Sequence, residues 1–268
     1  MCKISAIQMC SSSKVDENIK AADKLIKEAA QNDAKLVVLP EMFAIMGIKP
    51  TDKIKEREEY NSGKIQDFLS KAAMTNDIWI VAGTIPIACR IHDKIRAACI
   101  VYDNHGNTVA RYDKTHLFDA TLSATESYRE SDTTDAGNGH PVVVDTPVGK
   151  LGLAVCFDIR FPELFLQLYK KGAEIIALPS AFTVPTGTAH WEILTRSCAI
   201  QNFCYLIGAC QSGKHDSGRE TFGHSMIIDP WGKVLANHPK PGNGIIYADI
   251  DLEYLTKVRS AIPLTRLI

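Results

Sequence analysis

Leu151-Gly-Leu-Ala-Val-Cys-Phe-Asp-Ile-Arg-Phe-Pro-Glu163 decides how this chain is read. Leu151 to Val155 is a short apolar run of the length expected for a buried strand. Phe161 to Lys171, with Pro162 in its first turn, reads as a helix. A strand followed closely by a helix is the repeating unit of an α/β fold, and Cys156 sits at the joint. A helix N-terminus there directs amide N–H groups and partial positive charge toward the thiol. That setting predicts a lowered thiol pKa and donors for an oxyanion, the requirements of a nucleophile and of an acyl-transfer intermediate.

Taken alone, a Cys ending an apolar strand is as readily a packing residue, because free Cys is among the most buried residue types. The chain has 8 Cys. Cys99, Cys204 and Cys210 lie in apolar strand-like runs, and Cys198 falls in a helical stretch. No pair has C-x-x-C spacing, which argues against a zinc site or a thioredoxin-like motif. Their scatter points to reduced thiols in a cytoplasmic protein and not to a disulfide framework. Only Cys156 has the placement of a reactive group.

The 268 residues are 46% hydrophobic and 23% charged, enough for an ample core. A formal net charge of −1 gives no electrostatic reason to expect nucleic acid or an anionic membrane as partner. No apolar run reaches the roughly 18 to 20 residues needed to span a bilayer. Met1 to Met9 reads as a strand and lacks the basic and long apolar regions of a signal peptide. These features predict a soluble, cytoplasmic chain.

Outward from Cys156, short apolar runs alternate with helical periods. Lys3–Met9, Ala34–Leu39 and Ile78–Ala82 read as strands, with helices over Asp16–Gln31 and Lys64–Thr75 between them. Ile19, Ala22, Leu25, Ile26 and Ala29 mark one face of the first helix. Ala97–Tyr102 and Val109–Tyr112 form a hairpin through Asp103-Asn-His-Gly-Asn107, and Val142–Thr146 pairs with Lys150–Val155 through Pro147-Val-Gly149. Beyond the joint come a strand (Glu174–Leu178), a helix (Trp191–Asn202) and a strand (Tyr205–Ala209). Ser225–Ile228, Lys233–Ala236 and Ile245–Ile250 complete the β content, with Asp229-Pro-Trp-Gly232 as a turn. Crossover and hairpin connections together imply an α/β fold with mixed sheets, two of them packed face to face with helices outside. No linker or internal repeat divides the chain, so residues 1–268 read as one domain. The stretch 119–139, rich in Ser, Thr and Asp, reads as an irregular loop too long for a mere connection.

A thiol nucleophile needs a base and something to hold the intermediate's oxygen. Glu41, following the strand that ends at Leu39-Pro40, would project at the C-terminal end of a sheet, where open α/β sheets build their sites. Lys114 ends the strand Val109–Tyr112 and precedes the apolar pair Leu117-Phe118. Glu130 lies in the long loop. Glu41 and Lys114 taken alone are more often solvated charges, Glu130 alone carries no weight, and spacing alone does not bring them together.

Leu39-Pro-Glu-Met42, Tyr112-Asp-Lys-Thr-His-Leu-Phe-Asp119 and Leu153-Ala-Val-Cys-Phe-Asp-Ile-Arg-Phe-Pro-Glu-Leu164 together resemble the three signatures of the nitrilase superfamily of carbon–nitrogen hydrolases, in the family's order. Pro179-Ser-Ala-Phe182 through Glu192 and Gly223 through Gly232 are similar to the same family. The likeness runs from about Lys3 to Asp251. It implies a four-layer α-β-β-α sandwich with two mixed sheets, a homodimer or higher homo-oligomer, a small-molecule amide substrate, and a reaction without cofactor or metal. Carried onto matching positions, Glu41 is the general base, Lys114 stabilises the tetrahedral intermediate, Cys156 is the nucleophile, and Glu130 is a second glutamate that positions the site. The Phe157 backbone N–H would join Lys114 in holding the oxyanion. The expected outcome is hydrolysis of a small carboxylate-bearing amide through a Cys thioester, with release of ammonia.

Within the family, Arg129-Glu-Ser-Asp132, Cys156 to Glu163, Pro179 to Thr183 and Gly223 to Gly232 look most like the branch that hydrolyses deaminated glutathione. The rival is the ω-amidase branch, which acts on α-ketoglutaramate; Thr183 stands where that branch has Asn. Both substrates carry an oxo acid. Arg160 is the candidate for gripping it as a bidentate clamp, and a structural ion pair with Glu163 or Asp158 is the alternative. The Phe182 N–H and the Thr186 hydroxyl are further candidates. A catalytically idle binding protein, and a Cys–His enzyme using His116, His190 or His224, remain as other readings of the same residues.

Overall fold

In the computed structural model, which describes residues 1–124 and 126–264, the apolar runs become strands of two six-stranded sheets. The first half of the chain forms β1 (Cys2–Gln8), α1 (Val15–Gln31), β2 (Leu36–Val38), α2 (Asp52–Lys55), α3 (Lys64–Asn76), β3 (Trp79–Ala88), β4 (Ile95–Tyr102) and β5 (Thr108–Asp113). A small hairpin follows, β6 (Asp119–Thr121) and β7 (Ser127–Arg129), then β8 (Val143–Thr146) and β9 (Gly149–Leu153). The rest is α4 (Pro162–Lys170), β10 (Ile175–Ser180), α5 (Val184–Asn202), β11 (Tyr205–Cys210), β12 (Ser212–Lys214), β13 (Glu220–Phe222), β14 (Ser225–Ile228), β15 (Val234–His238), β16 (Gly244–Ile250) and α6 (Leu252–Ala261).

One sheet runs β16-β1-β2-β3-β4-β5 and the other β8-β9-β10-β11-β14-β15. In that order both sheets have the same succession of pairings: antiparallel, parallel, parallel, antiparallel, antiparallel. The topology therefore repeats although the sequence shows no repeat, since a strand position needs only apolar residues in register and not the same ones.

Period-two alternation assigns the faces. Ile4, Ala6, Leu36 and Val38 face the second sheet and share a core with Leu151, Leu153 and Ile207. Ile7, Val37, Leu39 and Ile80 point the other way, onto Leu25 and Ile26 of α1 and Ile65 and Leu69 of α3. On the far side, Leu164, Phe165 and Leu168 of α4 and Trp191, Cys198 and Ala199 of α5 cover the second sheet. The result is the four-layer α-β-β-α sandwich, with mixed sheets buried on both faces. That double burial is why the central strands read as continuous apolar runs. No described helix is long and apolar enough to cross a membrane.

Several elements depart from the sequence reading. The stretch 119–139 is only partly irregular: β6 and β7 pair as a hairpin, a 3-10 turn follows over Glu130–Asp132, and Thr134 bridges to Ile95, while residues 135–139 have no regular structure. Thr125 lies outside the described residues. Strands of three polar residues that pair only with each other carry no hydrophobic alternation to read. α5 starts seven residues earlier than Trp191, with the Thr183 side chain accepting from the Thr186 amide and Pro185 in the first turn. α6, capped by Asp251, was not anticipated. The joint after Val155 is also different: a 3-10 turn, Cys156–Arg160, separates the strand from α4.

The Glu41 turn is seated by β3. The β3–β4 register shifts between Ala82 and Ile85, and in that bulge the Thr84 hydroxyl accepts from the Met42 amide at 2.9 Å. A Cβ built on Gly83 would lie 1.8 Å from the Pro40 carbonyl oxygen, so only glycine lets β3 pass the Pro40-Glu41 turn this closely. Gly83→Ala should destabilise the fold by about 3 kcal/mol and lower turnover by displacing Glu41. Urea unfolding checks this; a midpoint equal to that of the parent protein would refute the close-approach argument.

Candidate active site

Four sequence-selected side chains, from four separate segments, meet at one end of the two sheets. Glu41 follows β2, Lys114 follows β5, Glu130 follows β7, and Cys156 follows β9. Lys114 is 2% exposed and Glu41 3% exposed, so neither is the surface charge its sequence neighbours would suggest. The Lys114 Nζ donates to Glu41 Oε1 at 2.8 Å and to Glu130 Oε2 at 2.7 Å. Glu130 Oε2 also accepts from the Phe118 amide at 2.7 Å, which ties the segment after Lys114 to the hairpin carrying Glu130. Gln211 Nε2 donates to the Glu41 carbonyl at 3.0 Å and fixes that turn from the second sheet.

Burial works against each of these charges, and their mutual contacts outweigh it. It pulls the Lys114 ammonium down, yet Glu130 and then Glu41 hold its pKa well above the usual value. Burial likewise pushes the Glu130 carboxyl up, and Lys114 followed by Lys53 brings it below the usual carboxylate value. The thiol is the exception. Burial pushes the Cys156 pKa up and Glu41 adds to the rise, against a smaller downward pull from Lys114 and the Ala181 N–H. The sequence reading expected the opposite sign. No α-helix starts at Cys156, because α4 begins at Pro162, and the desolvated thiol faces a carboxylate. The resting group is therefore the thiol, and forming the thiolate requires a base beside it.

Cys156 has φ of 47°, a left-handed conformation that strains a residue with a Cβ. Asp158, fully buried, over-determines the turn. Its Oδ2 accepts from the Val155 amide at 2.8 Å and the Tyr112 hydroxyl at 2.9 Å. Its Oδ1 accepts from the His116 amide at 3.1 Å and lies 2.6 Å from His116 Nδ1. One carboxylate thus joins the Cys156 turn to β5 and to the segment carrying Lys114. The sequence reading considered Asp158 only as a partner for Arg160. Its available signal was its place in the turn after a strand, where Asp side chains accept local backbone N–H groups.

The site opens into a cavity of about 370 Å³, within the size range of small-molecule pockets. Phe118, Tyr128, Phe157 and Phe182 form its aromatic walls. Arg160 lines it too, 5.8 Å above the rings of both Phe157 and Phe182, with Nη2 3.1 Å from His190 Nδ1. The alternative ion pair with Glu163 or Asp158 is not formed, since Asp158 is committed to His116 and the Cys156 turn. Thr186 lines the cavity, its hydroxyl 2.8 Å from that of Thr183 within the α5 cap. Phe182 presents its ring to the cavity while its carbonyl accepts from Phe222.

Among the described residues, no histidine lines the cavity. His116 is stacked on Phe161 at 3.6 Å, His224 on Phe222 at 4.4 Å, and His190 lies against Arg160, so none of the three stands in the cavity with Cys156 as the Cys–His reading requires. No group of three His, Cys, Asp or Glu side chains among the described residues could hold a metal ion. Lys53 and Arg219 also line the cavity. The sequence offered no signal for them, because each lies outside any apolar period or recognisable motif.

The chain matches the Carbon-nitrogen hydrolase family over residues 3–260. It is 40% identical over 263 residues to a deaminated glutathione amidase of Dictyostelium discoideum, covering 96% of this chain and 90% of that protein. Among solved structures it resembles Nit3 of Saccharomyces cerevisiae, a member of branch 10 of the nitrilase superfamily, with a TM-score of 0.88 and 34% identity over 98% of this chain and 95% of that one. It also resembles the C. elegans NitFhit protein, with a TM-score of 0.91 and 35% identity over 99% of this chain; it spans 64% of that longer chain.

Replacing Asp158 with Ala strands the buried donors of Val155, Tyr112 and His116. The expected loss is about 3 kcal/mol or more of stability, with turnover falling at least about 100-fold as the Cys156 turn relaxes. Asp158→Asn, which keeps one acceptor oxygen, should recover part of both. Thermal melting and initial rates measured together check this; an Ala variant that melts like the parent would show that Asp158 does not hold the turn.

Proposed function

The chain belongs to the carbon–nitrogen hydrolase family and is a hydrolase of amide C–N bonds, and from that premise we propose that Cys156 is its nucleophile, Glu41 its general base, and Lys114 with the Phe157 N–H its oxyanion donors. The observation that carries this reading is the Lys114 ammonium bonded to both Glu41 and Glu130 beside the Cys156 thiol, in a cavity with aromatic walls.

The raised thiol pKa sets the order of events. Glu41 takes the thiol proton as sulfur attacks the amide carbonyl, so no free thiolate accumulates. The carbonyl oxygen gains negative charge next to Lys114, whose ammonium stays charged because two carboxylates hold it. Glu41 passes the proton to the leaving nitrogen, the C–N bond breaks, and the acyl group remains as a Cys156 thioester. Glu41 then removes a proton from water, the hydroxide adds to the thioester, and collapse releases a carboxylic acid and returns the thiol. Glu130 keeps the ammonium aimed while Glu41 changes its proton count.

Deaminated glutathione is the preferred substrate in this reading, supported by the relatives named for hydrolysing it. That compound has no primary amide, so its cleavage releases cysteinylglycine and an oxo diacid. Ammonia is the product only with α-ketoglutaramate, the second candidate. Arg160, free of any ion pair among the described residues, would grip the oxo-acid carboxylate. The Phe182 ring, and weakly the Thr186 hydroxyl, would wall that end. Residues 1–268 act as one domain in a cytoplasmic homodimer. Support for pairing comes from the side chains Ile193, 68% exposed, and Trp231, 58% exposed, on α5 and the adjoining turn.

Cys156→Ala should abolish turnover of deaminated glutathione while leaving thermal unfolding unchanged; retention of activity within about tenfold would reject the nucleophile. Arg160→Met should raise KM for oxo-acid amides by about tenfold or more and change it little for a plain aliphatic amide. Equal effects on the two substrate classes would reject the clamp.

A further inference from the structure

Three half-buried cations, Lys53, Arg160 and Arg219, line the cavity, and none forms an ion pair with a described residue. Both half-buried or buried carboxylates of the cavity, Glu41 and Glu130, are bonded to Lys114. Lys53 Nζ donates to Thr134 Oγ1 at 2.8 Å, which uses one of its three hydrogens. Arg219 Nη2 donates to the Ala181 carbonyl at 2.8 Å, and its guanidinium lies 5.0 Å over the Tyr128 ring. Unpaired cations in a partly dry cavity are unfavourable unless the ligand carries the compensating charge.

The cations fall into two groups by what they face. Arg160 feels the charge of Cys156. Lys53 feels Glu130, Lys114, Glu41 and Arg219, and it lines a small recess together with Glu41 and Glu130. Cys156 keeps the acyl half of a substrate, whereas Glu41 hands a proton to the half that leaves. Lys53 therefore stands on the leaving-group side and Arg160 on the acyl side.

Resting on the amidase reading above, we infer that Lys53 receives a second substrate carboxylate carried by the leaving half. The enzyme then selects a diacid with one carboxylate on each side of the scissile amide. Deaminated glutathione has this form, with the oxo acid in its acyl half and the glycine carboxylate in its leaving half. α-Ketoglutaramate has only the first. Burial lowers the Lys53 pKa and Glu130 partly restores it, so an arriving carboxylate would be met by a cation poorly compensated at rest.

The test compares deaminated glutathione, its C-terminal glycinamide analogue and α-ketoglutaramate on the wild-type enzyme and on Lys53→Gln and Lys53→Arg. On the wild type, the glycinamide analogue should lose about 10- to 100-fold in kcat/KM, mostly through KM. Lys53→Gln should impose a similar loss on deaminated glutathione, remove the difference between it and the glycinamide, and affect α-ketoglutaramate far less; Lys53→Arg should restore part of the preference. Equal kcat/KM for the acid and its glycinamide on the wild type overturns the inference, and that comparison stands even if Lys53→Gln fails to fold. Equal losses on all three substrates in Lys53→Gln also overturn it, and assign Lys53 to holding Glu130 instead. Absence of wild-type turnover of deaminated glutathione overturns the functional reading itself, a result distinct from either.

Discussion

A lysine ammonium buried between two glutamates is the constraint on which the rest of the molecule depends. Lys114, Glu41 and Glu130 are each brought out of water, and any one left alone there would be strongly unfavourable. They are tolerable only together, at hydrogen-bond distance, so the segments that carry them must converge. The turn after β2, the end of β5 and the β6–β7 hairpin are therefore coupled through charge. Loss of one partner leaves the others uncompensated and the segments without a reason to meet. The same arrangement keeps Lys114 cationic in a place where burial alone would neutralise it.

The thiol belongs to this arrangement in a different way. It carries no resting charge, and burial together with Glu41 keeps it protonated. What the fold supplies is a strained left-handed position beside a base, held by the four contacts of Asp158. In the proposed mechanism, reactivity then depends on proton transfer within the site and not on a permanently ionised sulfur. The paired topology of the two sheets makes this possible. The parallel strands β2 and β9 end at the same side of the sandwich, where side chains from both sheets reach one cavity.

Legibility followed hydrophobicity. β2, β10 and β11 were readable because both faces of each are buried, which makes their sequences predominantly apolar. The β6–β7 and β12–β13 hairpins were not, since their short polar strands pair with each other and bury little. The start of α5 was hidden by Thr186, Gly187 and Thr188, residues of modest helix propensity that the Thr183 cap and Pro185 override. The sign of the thiol pKa shift was misread because position in the chain says where a helix follows, but not how dry the sulfur is.

The sequence by itself determined the order of the apolar strands and of the helices between them, the α/β sandwich, and, through motifs resembling a known family, the choice of Glu41, Lys114, Cys156 and Glu130 as site candidates. Each of those follows from residue types in order along the chain. Only the tertiary structure decided what these residues feel: which carboxylates neutralise Lys114, which way the thiol's pKa moves, that Asp158 anchors the turn, and that Lys53 and Arg219 face the same cavity. Those outcomes depend on distance and desolvation between segments far apart in sequence, and a one-dimensional order carries neither quantity.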